Sequence, residues 1–162
     1  MLFLLFTAGD NHYAIETRRV QEVIPLVTLR TCPAAPDYIS GLFNYRGHVT
    51  PVADLSMLLT NAPCPVRLNT RIIVVSYTLS DGRSRLLGLM AEQVTQTMER
   101  NDTDFSQLAL ADEANPFLGH ICSDGGEMIQ CIHPERLLPK ELESLLFEKP
   151  GDNLAPFHEE AT

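Results

Sequence analysis

Arg71-Ile72-Ile73-Val74-Val75-Ser76-Tyr77 is apolar at consecutive positions rather than at alternate ones. A strand with apolar side chains on both faces belongs at the centre of a structure, with packed material on each side. Ser80-Asp81-Gly82-Arg83 supplies a turn after it. The chain returns through Leu86 to Ala91 and runs on through Val94 to Met98. The remaining elements have to be arranged around that long central hairpin.

They read as short strands joined by turns. Leu2 to Phe6 is a dense apolar run, Ala8-Gly9-Asp10-Asn11 is turn chemistry, and His12 to Ile15 resumes an extended pattern, so the chain opens as a β-hairpin. Arg18 to Val27 is rich in Val and Ile, and Pro25 marks it as a strand with an edge or a bulge. Cys32-Pro33-Ala34-Ala35-Pro36 is a stiff connector, and Pro36 opens an expected helix over Asp37 to Phe43, interrupted at Gly41. Gly47 to Leu55 is a further strand, and Asp54 caps an expected helical turn through Leu59. Residues 61–69 form a loop. The acidic stretch 101–115 is expected to hold a short helix over 104–110. Phe117 to Cys122 and Met128 to His133 make a third hairpin, and a last helix is expected from Glu135 to Phe147 with a leucine stripe. Strands return by hairpins and no βαβ alternation appears, so the expected architecture is a pair of small, mostly antiparallel barrels.

Charge removes several function classes. The chain of 162 residues carries 21 acidic against 12 basic side chains, a formal net charge of -9. Such a surface repels phosphate backbones, so no nucleic-acid partner is expected. Met1 to Phe6 lacks a positive flank and a small-residue cleavage site, so it reads as a strand and not as a signal peptide. No run approaches the roughly 20 apolar residues of a membrane helix, so no direct membrane insertion and a cytoplasmic location are expected. Cys32, Cys64, Cys122 and Cys131 show no Cys-x-x-Cys spacing and read as reduced thiols.

The stretch from Ser40 to Leu55 carries the strongest recognition signal. Asn44, Arg46 and His48 stand where the backbone reverses, with no nucleophile and base among them, so they imply contact rather than chemistry. Glu22 sits in an otherwise apolar strand, where a lone carboxylate is costly to bury. Arg46 is expected to fold back onto it as a partly buried pair with bidentate geometry. Gly41 and Gly47 suit positive φ or a close backbone approach. Phe43 and Tyr45 flank Asn44 and share one face; if that face is open they are candidate anchors for a helical partner, and if it is closed they are core.

A second constellation is His120-x-Cys122 facing Cys131-x-His133 across the third hairpin. With Gly126-Glu127 as the loop, the two thiols and two imidazoles pair on one face, a zinc-type ligand set. With Gly125-Gly126 as the turn the set breaks apart, and Gly-Gly is the commoner turn. The residues therefore read as buried thiols, and neither metal nor cofactor is expected. The alternative is a metal- or thiol-based enzyme or redox sensor on this hairpin. No Gly-rich phosphate loop, Gly-x-Ser-x-Gly or His-Glu-x-x-His occurs, and no enzyme activity is expected.

The order of signals resembles the CheW family, coupling adaptors of bacterial chemotaxis-type signalling. The resemblance runs over about residues 2 to 147 and rests on Tyr13-Ala14-Ile15, Val20-Gln21-Glu22-Val23-Ile24, Pro33-Ala34-Ala35-Pro36, Gly41 to Gly47, Val49-Thr50-Pro51-Val52-Ala53-Asp54-Leu55, Ile72 to Val75, Leu87-Gly88-Leu89 and Pro134 to Leu138. It implies two five-stranded SH3-like barrels and no catalysis. It also implies two partners, a CheA-type histidine kinase regulatory domain and a chemoreceptor signalling hairpin, in receptor arrays at the inner membrane. Val20, Glu22, Asn44, Arg46 and Val94 match the receptor-facing groove and its support, with Leu42 and Phe43 as apolar lining. Phe43, Tyr45, Ser56 and Glu92 depart from the family's usual residues. The opening run and the aromatic centre look like coupling proteins of surface-sensing, Wsp-type systems. One domain is expected over residues 1–148, made of two interleaved barrels, followed by an acidic, disordered tail over 149–162.

Overall fold

The computed structural model describes residues 1–106 and 114–147. Most of the expected helix over 104–110, and all of the tail expected over 149–162, lie outside the described residues. The elements are β1 (Leu2–Ala8), β2 (Asn11–Glu16), β3 (Val20–Pro25), β4 (Ile39–Tyr45), β5 (His48–Asp54), α1 (Leu55–Thr60), β6 (Thr70–Thr78), β7 (Ser84–Glu99), β8 (Leu118–Asp124), β9 (Glu127–Ile132) and α2 (Lys140–Leu146).

One continuous sheet of nine strands folds into two barrels that share β7. Barrel one takes β4, β5, β7, β6 and β3; barrel two takes β7, β1, β2, β9 and β8. Each barrel contains one parallel ladder, β5 with β7 and β2 with β9, and its other ladders are antiparallel. Each is closed by a single bridge contributed by chain just beyond a strand: Arg30 with Leu42 in barrel one, Phe105 with Cys122 in barrel two. Five strands closing on themselves leave little exposed edge.

The apolar pattern of β6 now has its reason. Ile72 and Val74 point into barrel one with Tyr45, Val52, Cys64 and Met90. Ile73, Val75 and Tyr77 point the other way, into the large core between the barrels with Phe6, Tyr13, Ile15, Leu55 and Leu89. Strand β7 feeds three cores in turn: Met90 fills barrel one, Leu87, Leu89, Ala91 and Val94 fill the seam, and Met98 fills barrel two. It crosses from one barrel to the other at Gln93, whose φ of 53° breaks the strand's regular path, opposite an irregular register between Leu5 and Thr7 of β1.

Two expected helices are corrected. Residues 39–45 are strand β4, because Arg46-Gly47 is a hairpin turn that pairs the segment with β5 from Tyr45↔His48 back to Ile39↔Ala53. Gly41, at φ 151°, lets β4 pass close to Arg30; a Cβ there would lie 2.5 Å from the Arg30 carbonyl oxygen. A helix from Glu135 to Phe147 does not form as one piece. Pro134–Arg136 is a single 3₁₀ turn, Pro139 is extended at ψ 155° and stands as the N-cap of α2, and only Lys140–Leu146 is α-helical. The cap at Asp54 forms as expected, its carboxylate accepting from the Met57 amide at 3.1 Å.

Candidate functional site at the β4–β5 turn

The turn is built by Asn44, Arg46 and Gly47. Arg46 (φ 50°) and Gly47 (φ 87°) both take the left-handed backbone that a two-residue hairpin turn needs. Glycine adopts it freely; an arginine there is uncommon. Asn44 braces the loop by accepting the Gly47 amide on Oδ1 at 2.8 Å. The outcome is a guanidinium fixed at the tip of a rigid hairpin, with its side chain 66% exposed.

A bulge in β3 sets what faces that tip. Val20 pairs with Val75 and Glu22 with Val74, with one residue too many between them. Val20 therefore packs on the seam core, while Glu22 stands over barrel one beside Tyr45. The Tyr45 hydroxyl donates to Glu22 Oε1 at 2.5 Å, and Arg46 Nη2 donates to the same oxygen at 2.9 Å. Arg46 also lies 5.2 Å from the Tyr45 ring centre, within cation–π range. Burial raises the Tyr45 pKa, and the neighbouring carboxylate raises it further, so the phenol stays a donor at neutral pH.

The expected pair of Arg46 and Glu22 forms, with its character corrected. It rests on one nitrogen and one oxygen, so it is not bidentate, and its side chains are 66% and 37% exposed, so only its carboxylate half is partly buried. Water screens such a contact, and it holds little stability. The buried partner of Glu22 is Tyr45, which sequence reading did not place with it. The signal available was the period-two spacing of Tyr45 from Phe43, which turns the phenol to the barrel-one side where Glu22 also stands.

The other predicted residues separate. Phe43 is half-buried against the barrel-one core and meets Tyr45 edge-on with ring centres 6.1 Å apart, so this face turns towards the barrel, with Tyr45 buried in it and Phe43 at its margin. Leu42, on the opposite side of β4, is half-buried and makes the closing bridge to Arg30. Val94 is buried in the seam beside β1. Glu22, Asn44 and Arg46 thus form one polar cluster, Val20 and Val94 belong to the seam, and Phe43 packs against barrel one.

The His/Cys hairpin adopts the Gly125-Gly126 turn, with Asp124 opposite Glu127 and Cys122 opposite Ile129. This register turns Cys122 and Cys131 into the barrel-two core and does not assemble the four-residue ligand set. Burial pushes the Cys131 thiol up to about 12 and raises that of Cys122. Neither is a nucleophile at neutral pH.

Comparison with known proteins fits this architecture. Residues 2–142 match the CheW-like domain. The chain belongs to the CheW-like family. The chemotaxis protein CheW of Klebsiella aerogenes is 31% identical over 162 residues, covering 96% of this chain and 89% of its own. The CheW of Helicobacter pylori is 25% identical over 141 residues, covering 86% of this chain and 82% of its own. The crystal structure of the scaffolding protein TtCheW from Thermoanaerobacter tengcongensis shares the fold, with a TM-score of 0.71 at 22% identity over 93% of this chain and 89% of that one. CheW-like proteins are chemotaxis scaffolds and adaptors without catalytic activity, and the resemblance stays at the level of the family. Among the described residues no helix is long and apolar enough to cross a membrane.

Proposed function

We propose that this CheW-like protein couples the cytoplasmic signalling hairpin of a chemoreceptor to the regulatory domain of a CheA-type histidine kinase, in receptor arrays at the inner membrane. The reading takes residues 1–148 as one working unit. Its carrying observation is the β4–β5 turn: a rigid hairpin that presents an exposed arginine, tethered by Glu22, on a chain whose net charge is -9. A rigid positive tip suits a helical partner with acidic or carbonyl-rich groups at its end. Glu22, Asn44 and Arg46 supply the polar contacts, Val20 and Val94 support them from the seam, and Leu42 supports β4 through its bridge to Arg30. Phe43 contributes by holding β4 in place from the barrel-one side. Each single contact is modest, and repetition of partners in an array raises the effective concentration of every one.

The test is a pull-down of a kinase regulatory domain and a receptor signalling fragment by the wild type and by Arg46→Glu. Retained kinase binding with lost receptor binding supports the assignment. Capture of neither partner by the folded wild type overturns it.

A further inference from the structure

One oxygen of Glu22 carries both contacts of its cluster. The Tyr45 hydroxyl and Arg46 Nη2 donate to the same Oε1, at 2.5 and 2.9 Å. Oε2 accepts no hydrogen bond among the described residues, although its carboxylate is partly exposed. An arginine and a carboxylate left to themselves meet fork to fork, two nitrogens on two oxygens. Here the fork stays open, and the buried phenol accounts for it. It reaches Oε1 from the barrel-one core and fixes how the carboxylate is turned.

Tyr45 touches both charged groups. Its hydroxyl holds the acid, and its ring centre lies 5.2 Å from the guanidinium carbon, where the π face supports the base. Burial and the neighbouring carboxylate raise its pKa, so the hydroxyl keeps its proton at neutral pH. Arg46 uses one nitrogen on Glu22, and its other N–H groups have no acceptor among the described residues. The hairpin tip, set by the left-handed backbone of Arg46 and Gly47, therefore presents an acceptor, Glu22 Oε2, next to free N–H donors. A carboxylate on a partner would satisfy Arg46 and be repelled by Glu22, and an ammonium would meet the reverse. A carboxamide carries an acceptor oxygen and N–H donors on one planar group, and it satisfies both.

We propose that Tyr45 is a positioning residue of the β4–β5 turn. By holding Glu22 Oε1 it keeps Oε2 and the free edge of Arg46 open, as a matched acceptor and donor for a side-chain carboxamide, asparagine or glutamine, at the tip of the helical partner. This rests on the coupling role proposed above and narrows it to one partner chemistry. Without the phenol the guanidinium and the carboxylate close on each other, and neither is left for the partner.

The experiment is calorimetry of a receptor signalling fragment and of a kinase regulatory domain, each with the full chain as wild type, Tyr45→Phe, Glu22→Gln and the double variant. Tyr45→Phe keeps the ring and removes only the hydroxyl. It is expected to weaken the receptor fragment about tenfold, to leave the kinase domain unchanged, and to add nothing in the Glu22→Gln background. In a second arm each asparagine and glutamine at the fragment's tip is replaced in turn by its acid. One such replacement is expected to weaken binding to the wild type about tenfold, and Glu22→Gln is expected to restore most of that loss. A wild type that does not bind the receptor fragment overturns the coupling role, and this assignment with it. A wild type that binds both partners, while Tyr45→Phe weakens both equally or neither, overturns the assignment alone. So does a Tyr45→Phe loss that adds in full to that of Glu22→Gln, or a tip in which no acid is rescued by Glu22→Gln.

Discussion

Glu22 and Tyr45 are joined by a hydrogen bond across barrel one, although their strands β3 and β4 share no ladder. The tyrosine is 6% exposed and the carboxylate beside it is 37% exposed, so this contact is the drier half of the Glu22 cluster. A hydrogen bond to a charged group in such a place contributes about 1.5–3 kcal/mol, against about 0–1 kcal/mol for an exposed ion pair. Urea denaturation of Tyr45→Phe, Arg46→Ala and Glu22→Gln, with the two double mutants, should give a larger coupling for Glu22 with Tyr45 than with Arg46. The reverse order would mean that the guanidinium, not the phenol, anchors the carboxylate.

Gly41→Ala should be among the most damaging single-methyl additions in the chain. The new Cβ would sit 2.5 Å from the Arg30 carbonyl oxygen and 2.9 Å from Leu29 Cβ, on a backbone at φ 151°. Both neighbours belong to the segment that closes barrel one, and neither is a flexible side-chain end. A loss of about 3 kcal/mol or more is expected. Gly82→Ala, at φ 88° with open space around it, isolates the backbone cost alone at about 1 kcal/mol. Equal losses in the two variants would show that the Arg30 contact relaxes freely.

Thiol labelling should divide the cysteines. Cys32 is half-buried, while Cys64, Cys122 and Cys131 are buried with pKa values pushed upward, Cys64 and Cys131 to about 12. Ellman's reagent on the native protein near neutral pH should titrate Cys32 alone, and the other three should follow only in denaturant. Rapid labelling of Cys131 in the native state would show that the end of barrel two opens more than its packing indicates.

The same thiols make stability fall in alkali. Burial, followed by nearby carboxylates, raises Cys64 from 9.0 to about 12, and burial raises Cys131 likewise. A raised pKa favours the protonated thiol in the fold, so this contribution is complete below about 9 and is lost as pH climbs towards about 12. Melting temperature should drop as pH rises from about 9 towards about 12, and Cys131→Val should flatten the slope. A slope unchanged in that variant would assign the loss to other groups, Tyr77 first, since burial raises its phenol too.

Much of this fold was legible where local chemistry and long-range packing agree. The run Arg71–Tyr77 announced a strand between two cores, and the structure splits its residues between barrel one and the seam. Asp54 announced its cap. Legibility failed where tertiary pairing overrides local signals. Asp37 to Phe43 carries a proline start suited to a helix, yet the ladder of Ile39–Tyr45 with β5, six residue pairs long, draws most of it into a strand. The leucine stripe after Glu135 suggested one helix, and Pro139 divides it. At the site, the meeting of Arg46 with Glu22 was readable from an isolated acid and an exposed arginine. The burial of Tyr45, with Phe43 half-buried beside it, was not, because period-two spacing assigns residues to a face without saying which face turns inward.

The strand β7 gives all three cores part of their filling and, among the described residues, is the one strand common to both barrels. The protein is therefore not a tandem of exchangeable parts. A recombination joint placed between Leu87 and Met98 would hand half of each barrel to a stranger, and neither half could close alone. Variation can enter freely at the hairpin tips, but the two barrels can only be inherited together.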